Sequence, residues 1–216
     1  MPEQRKRSYN SDLRDQQARA TRRQIVTAAG QLFVDQGFAA TTVDQIAAAA
    51  GVSRKTVFTS VGGKAQLLKL AYDYAMAEDD EPMTMAERPG LRDVIAEPDD
   101  RRSIQLWAEF VTAAIGRVSG LYMALRGAAE VDAEARELYE TWERERREAM
   151  VDGPVARFAA KGTLSDRVTP DEAADILWLL LTPSTYHSFV VVHGWPPERF
   201  TEWFRDTVEQ QVLKPA

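Results

Sequence analysis

The sequence predicts an all-α protein, with an N-terminal three-helix domain that contains a helix-turn-helix and a larger C-terminal helical domain. Two observations support this prediction. Apolar residues recur at intervals of three and four along most of the chain, which is the spacing of one helix face. Residues 41–64 have the pattern of two short helices joined by a tight turn. We therefore expect an arm over residues 1–15, a helix-turn-helix domain over residues 16–62 and a helical domain over residues 63–216.

The first helix is predicted over residues 16–36. Ile25 and Phe33 lie at helical spacing on its apolar face, and Gly37 provides the stop signal. The segment before this helix is polar and contains no apolar run, so we expect a flexible basic arm. Its positive charge comes from Arg5, Lys6, Arg7 and Arg14.

The two helices of the motif have clear start and stop signals. Thr42 is a good N-cap for a helix that buries Ile46, and Gly51 supplies the open backbone that a sharp turn requires. Ser53 is a good N-cap for the second helix. Such a pair places its second helix in the major groove of DNA. An ordinary hairpin inside a helical core fits the same pattern, so the motif alone does not decide between the two.

The distribution of charge favours DNA binding. The chain has a net charge of −6, yet residues 1–69 hold 11 Lys and Arg against 5 Asp and Glu, whereas residues 70–216 hold 16 against 28. An acidic protein is repelled by phosphate unless it presents a local positive face. Because the basic residues are concentrated around the motif, the sequence predicts that this domain binds double-stranded DNA.

Three features between Ala18 and Tyr74 also resemble a known family. They are a first helix that ends in Phe33 and Gly37-Phe38, the segment TTVDQIAAAAGVS, and Lys64 at the start of the next helix. With these features the chain resembles the N-terminal domain of the TetR (tetracycline repressor-like) transcriptional regulators. Phe58 departs from the family pattern, which often has a Tyr there that gives its hydroxyl to phosphate. Gly62-Gly63 replaces the more usual Pro-Ser.

The motif and the resemblance together indicate which residues contact DNA. We expect one group to face the major groove and read base edges, and a second group to hold phosphates. The base-reading group is Arg54, Lys55, Thr56, Thr59 and Ser60. The phosphate-binding group is Thr42, Lys64, Arg19, Arg22 and Arg23.

The next segments are predicted from apolar spacing and from breaker residues. A fourth helix begins near Gly63-Lys64 and connects the DNA-binding domain to the rest. Residues 78–100 are acidic and rich in Pro, so we expect an irregular loop with one helical turn over residues 91–96. A strongly apolar helix follows from about Arg101, and we expect Gly120 to break it.

Four further helices are predicted towards the C-terminus. A short one spans residues 121–129, and a long one spans residues 133–160 and closes at Gly162. Thr169-Pro170 is a strong helix start, because Thr is a good cap and Pro is favoured at the first helical position. That helix is expected to kink at Pro183 and to end at Gly194, before the last helix begins at Pro196-Pro197.

The last two helices are too apolar for surfaces covered only by solvent, which favours self-association. The resemblance implies that they pack with their symmetry mates into a four-helix dimer bundle. The alternative is that both helices bury their apolar faces in their own domain. The expected interface residues of the homodimer are Ile176, Leu180, Phe200, Phe204 and Val208.

Aromatic and Met residues are frequent in the C-terminal domain. They serve as core in most proteins, but ligand sites between helices use the same residue types. The resemblance implies an inducer pocket here, which we expect to hold a small apolar or aromatic ligand. The expected lining is Trp107, Phe110, Met123, Trp178 and Tyr186.

Other classes of function find little support. His187 and His193 do not share a helix face, and the chain has no Cys, so neither a catalytic constellation nor a metal or cofactor site is expected. No segment has the length of a membrane span or the pattern of a secretory signal, so we expect a cytoplasmic protein. The sequence predicts a homodimeric repressor of a palindromic operator that a small molecule releases. One alternative is a DNA-binding protein whose C-terminal domain contacts a protein partner and senses no metabolite, and a weaker one is a helical enzyme.

Overall fold

Helices joined by short turns make up the fold, which confirms the predicted all-α class. The computed structural model describes residues 3–77 and 88–215, with the backbone alone at residues 3–13 and at residue 100. Within these ranges the only β-type pairing is an isolated bridge between Leu164 and Leu213. Among the described helices, none has by itself the length and apolar content of a membrane span, although Pro170–Leu180 and Pro183–Val192, which are bent by 41°, reach that content when taken together.

The first four helices are α1 (Glu3–Ala40), α2 (Val43–Ala49), α3 (Arg54–Ser60) and α4 (Lys64–Ala77). Helix α1 begins at Glu3 and so includes most of the segment for which we expected an arm. Glu, Gln, Lys and Arg favour helix, and neither Gly nor Pro interrupts residues 3–29. The predicted stop is confirmed, because Gly37 leaves the helical conformation with a φ of 82°.

Two helices follow, α5 (Pro89–Ala96) and α6 (Asp100–Ala129). Residues 78–87 of the expected loop lie outside the described residues. The prediction that Gly120 ends the helix that starts near Arg101 is wrong. Helix α6 runs through Gly120 and has a total length of 30 residues, or roughly 45 Å. Gly120 instead lets α6 approach α1, since a Cβ at this position would lie 3.1 Å from a γ-carbon of Val34.

The remaining segments are α7 (Ala133–Met150), a π-helical turn (Val151–Val155), α8 (Ala156–Lys161), α9 (Pro170–Leu180), α10 (Pro183–Tyr186), a second π-helical segment (His187–Val192) and α11 (Pro197–Gln211). The stop at Gly162 and the start at Thr169 are confirmed. Gly162 adopts a φ of 69°, and the Thr169 hydroxyl accepts the backbone N–H of Glu172. The expected kink at Pro183 is a complete break between α9 and α10.

Two apolar cores share helix α6. The first joins α1–α4 to the second half of α6, through Leu121 and Leu125, and to the first half of α7. The second joins the first half of α6, which includes Trp107, to α5 and to the helices after α7. One continuous helix therefore connects the N-terminal domain to the deepest part of the C-terminal domain.

Candidate nucleic-acid interface

Side-chain caps fix the ends of α2 and α3. The Thr42 hydroxyl accepts the backbone N–H of Gln45 at 3.2 Å, and Gln45 Oε1 accepts the backbone N–H of Thr42 at 2.7 Å. Ser53 Oγ accepts the backbone N–H of Thr56 at 3.1 Å. Between the two helices Gly51 has a φ of 66°, as a left-handed turn requires. Both predicted caps are confirmed.

Helix α3 is held by one buried side chain and leaves its other faces exposed. Val57 has no exposed surface and packs with Ile46 of α2 and Phe33 of α1 in the first core. Residues on the opposite side of a helix this short are free to enter a groove. The fold thus positions α3 as the outer helix of the helix-turn-helix.

The charged residues predicted to read bases are exposed on α3. Arg54 Nη1 lies 2.8 Å from Asp44 Oδ2, and both side chains are more than half exposed, so this pair contributes little to stability and can open. Lys55 is exposed as well. Its long side chain and that of Arg54 carry the donors that recognise guanine and phosphate.

The hydroxyl residues of α3 are more restricted. The Thr56 hydroxyl lies 2.8 Å from Ser53 Oγ, and Thr59 Oγ1 donates to the carbonyl of Lys55 at 3.0 Å. Ser60 is half-buried. Base contact by these residues remains a prediction, and for Thr56 and Thr59 it requires the hydroxyl to share or exchange its present hydrogen bonds.

The predicted phosphate contacts divide into two groups. Arg19, Arg22 and Arg23 are exposed on α1 and remain candidates. The Thr42 hydroxyl is occupied in the cap of α2. Lys64 differs from the expectation, because its Nζ donates to the carbonyl of Phe38 at 2.6 Å and lies 4.1 Å from the Phe38 ring centroid. Burial lowers the pKa of Lys64, and its ammonium joins α4 to the end of α1.

Phe58 is a surface residue that we did not assign to the interface. Its side chain is 46% exposed, and the guanidinium carbon of Arg54 lies 5.6 Å from its ring centroid. The signal was present in the sequence, since Phe58 follows the core residue Val57 and so points about 100° away from it around the helix. An exposed ring beside Arg54 supplies an apolar contact for a thymine methyl group.

The residues predicted to line a ligand pocket do not converge on one cavity. Trp107 is buried against Phe158 and Phe204, with ring centroids 6.1 and 5.4 Å away. A Cβ at Gly90 would lie 2.6 Å from the Phe110 ring, so this ring packs on α5. Met123 is half-buried. Helical spacing identifies an apolar face but does not show whether a space opens beside it, and here most of that face is filled.

Two cavities lie elsewhere among the described residues. An open groove of about 420 Å³ runs between α6 and α11, and of the predicted lining it contains only Tyr186. Most of its other side chains are polar or charged, such as Glu109, Thr112 and Glu202. A smaller space of about 260 Å³ lies between α1, α4 and α6, with Arg23 and Tyr74 among its lining residues.

Three of the five predicted dimer-interface residues are buried within the chain itself. Phe200, Phe204 and Val208 have no exposed surface, because this face of α11 packs into the second core of its own protomer. Ile176 and Leu180 are half-buried on α9. The apolar side chains that reach solvent in this region are Leu179 (60% exposed), Val191 (59%) and Val192 (67%).

Comparisons with known proteins agree with this geometry. Residues 25–71 match the family model described as bacterial regulatory proteins, tetR family. Over 75 residues the chain is 36% identical to TtgW, an uncharacterised HTH-type transcriptional regulator of Pseudomonas putida. That stretch covers 35% of this chain and 53% of TtgW, so the chain spans about half the length of this curated relative.

Solved structures share the fold over nearly the whole chain. NalD, the secondary repressor of the MexAB-OprM multidrug efflux pump in Pseudomonas aeruginosa, superposes with a TM-score of 0.68 at 21% identity, covering 92% of this chain and 98% of NalD. A putative transcriptional regulator from Saccharomonospora viridis, solved in complex with choline, gives 0.66 at 16% identity, covering 90% and 98%. Residues 25–71 therefore form a helix-turn-helix segment of the tetR-family type, and the chain as a whole shares the fold of these solved regulators.

Proposed function

We propose that this chain is a homodimeric repressor that binds a palindromic operator through α3 and is released from it by a small organic ligand. The observation that carries the proposal is the placement of Arg54 and Lys55. Both are exposed on a helix that Val57 and the caps hold rigidly, within the basic third of an acidic protein. Because the helix-turn-helix region is basic and the rest of the chain is acidic, DNA attracts the protein in the one orientation that places α3 towards the phosphates.

The homodimer follows from the geometry of DNA. Two copies of α3 read successive major grooves only if they lie about 34 Å apart, which a two-fold dimer fixes. The exposed apolar side chains of α9 and of the segment after α10 supply a surface for this contact, since isolated domains rarely expose several large apolar groups together.

Release by a ligand is supported by the shared fold. NalD is a repressor, and the Saccharomonospora viridis regulator binds choline in its structure. Proteins of this fold thus include a repressor and a regulator that holds a small organic ligand. A ligand that prefers a dimer with the wrong spacing between the two α3 helices lowers the population that can bind DNA. The helices that join the two domains, α4 and α6, provide the mechanical connection.

One observation favours a second candidate. The rings of Trp107 and Phe110 pack against neighbouring helices, and neither residue lines the 420 Å³ groove. A C-terminal domain filled in this way fits a DNA-binding protein that contacts a protein partner and senses no metabolite.

The experiment that tests DNA recognition is selection from random double-stranded DNA by the purified full chain, followed by sequencing of the bound fraction. The proposal expects an enriched motif with two-fold symmetry and half-sites about one helical turn apart. Enrichment of a single asymmetric half-site would contradict the dimer, and no enrichment over the input would contradict sequence-specific recognition.

A further inference from the structure

A largely buried ion pair lies on α7 in the C-terminal domain. Arg146 Nη2 is 2.8 Å from Glu143 Oε2, and the two side chains are only 14% and 16% exposed. Arg146 Nε also donates to Glu143 Oε1 at 3.3 Å. Removing two charges from water offsets most of their attraction, so a buried pair is weak support for stability. Its presence inside a helical core points to another role.

Aromatic side chains surround this pair. The guanidinium carbon of Arg146 lies 4.9 Å from the ring centroid of Trp178, and Nη1 donates to the Trp178 carbonyl at 2.5 Å. The Tyr122 hydroxyl donates to Glu143 Oε1 at 2.9 Å and lies 3.3 Å from the Tyr139 hydroxyl. We call the set Glu143, Tyr122, Tyr139 and Trp178 the arginine cage. A carboxylate with aromatic rings and a carbonyl is the surrounding that proteins use to bind organic cations.

The cage is not fully matched to Arg146. Trp178 Nε1 is buried and has no hydrogen-bond partner among the described residues. An indole N–H can only donate, and a guanidinium can also only donate, so Arg146 cannot satisfy it. A ligand that carries an acceptor next to its cationic group would gain a hydrogen bond that Arg146 does not provide.

We propose that the arginine cage is a binding site for an amidine or guanidine, and that Arg146 occupies it as an internal competitor that such a ligand displaces. The contacts of Arg146 indicate a planar cation. Glu143 accepts two N–H groups that lie in the plane of the guanidinium, and the Trp178 carbonyl accepts a third. Arg146 retains some exposure, so its side chain has a path to solvent.

The position of the cage links it to the DNA-binding domain. Arg146 joins α7 to α9, and Tyr122 joins α6 to α7. One turn before Arg146, the ring of Trp142 lies 4.0 Å from the ring of Tyr72 on α4. Displacement of Arg146 removes one tie between α7 and α9, leaving the exposed pair of Arg147 with Asp175, and so loosens α7 against α4. This effect on DNA rests on the proposed ligand release, whereas occupancy of the cage does not.

The site is tested by calorimetric titration of the full chain with benzamidine, in the absence of DNA. Benzamide and benzoate are the matched neutral and anionic controls. We expect the wild type to bind benzamidine weakly, and Arg146→Ala to bind it at least about tenfold more tightly because the competitor is gone. Arg144→Ala, which removes an exposed Arg of the same helix, should match the wild type. Glu143→Gln should lose at least about tenfold in affinity.

Several outcomes would overturn the proposal. They are a wild type that does not bind benzamidine at about 50 mM, equal affinity for benzamide, or an Arg146→Ala variant that binds no more tightly than Arg144→Ala. Should Arg146→Ala fail to fold, Arg146→Gln retains most of the side chain and the same order of affinities is expected. Binding of benzamidine with unchanged affinity for DNA would contradict ligand release but not the cage. Absence of benzamidine binding in a protein that another compound releases from DNA would contradict the cage alone.

Discussion

Gly62 lies between α3 and α4 with a φ of 119°, a conformation that other residues rarely adopt. A Cβ at this position would lie 1.9 Å from Gln66 Oε1, which accepts the backbone N–H of Gly63 at 2.7 Å. These contacts account for Gly62-Gly63 where the family commonly has Pro-Ser. The Gln66 side chain thus accepts a backbone N–H at the start of α4. The absence of a Cβ at Gly62 leaves the space that this side chain needs.

We therefore expect Gly62→Ala to lower the free energy of unfolding by about 2 kcal/mol, through backbone strain and loss of the Gln66 hydrogen bond. Urea denaturation measures the change. Gly127→Ala is the matched control, because Gly127 is helical and open space surrounds it, and it should raise stability by about 0.5–1 kcal/mol. Equal stability of the two variants would contradict the account of Gly62.

Local contacts at the residue scale were predictable, and distant ones were not. The caps at Thr42, Ser53 and Thr169 follow from residues three positions apart. The partner of Lys64 is the Phe38 carbonyl, 26 positions away, and no local pattern indicates it. No local pattern indicates the arginine cage either, because its members come from three helices.

At the scale of elements, an apolar stripe shows that a face is covered but not by what. The stripe of α11 was predicted correctly as apolar, and its residues Phe200, Phe204 and Val208 pack into the second core of the same chain. Gly120 predicts a break in the helix, because Gly disfavours helix by about 1 kcal/mol. The close approach of α1 to α6 at this residue offsets that cost, and only the packed structure shows it.

The apolar stripe that the proposed homodimer would bury lies on α9, where Ile176, Leu179 and Leu180 share one face. We expect Leu179→Glu to convert the proposed dimer to monomers in sedimentation equilibrium, because a charge would be buried at its interface without a partner. Stability of the monomer should change by less than about 0.5 kcal/mol, since the side chain is 60% exposed.

Val131→Glu provides the control for this experiment. Val131 is 76% exposed in the turn between α6 and α7, so the same substitution there should leave the dimer intact. A dimer that survives Leu179→Glu at the concentrations where the wild type dimerises would place the interface elsewhere.

At the scale of the whole molecule, charge distinguishes the two domains and helix α6 connects them. Residues 1–69 hold the excess of Lys and Arg, and the rest of the chain is acidic, which supports the proposal that α3 faces DNA. Helix α6 belongs to both cores, which couples the two domains more directly than the sequence indicated through α4 alone. The charge division was predictable from the sequence. The shared helix was not, because it depends on packing across the domain boundary.

The most direct test of the central claim is fluorescence anisotropy with the selected DNA and with a scrambled duplex of the same composition. We predict that the wild type prefers the selected duplex by about 10³-fold or more, and that affinity falls steeply with salt. Lys55→Ala should reduce the difference in binding free energy between the two duplexes by about 1–3 kcal/mol. Lys214→Ala, an equal change of charge near the C-terminus, should leave that difference unchanged. Equal affinity of the wild type for both duplexes, or equal effects of the two substitutions, would contradict recognition of an operator by α3.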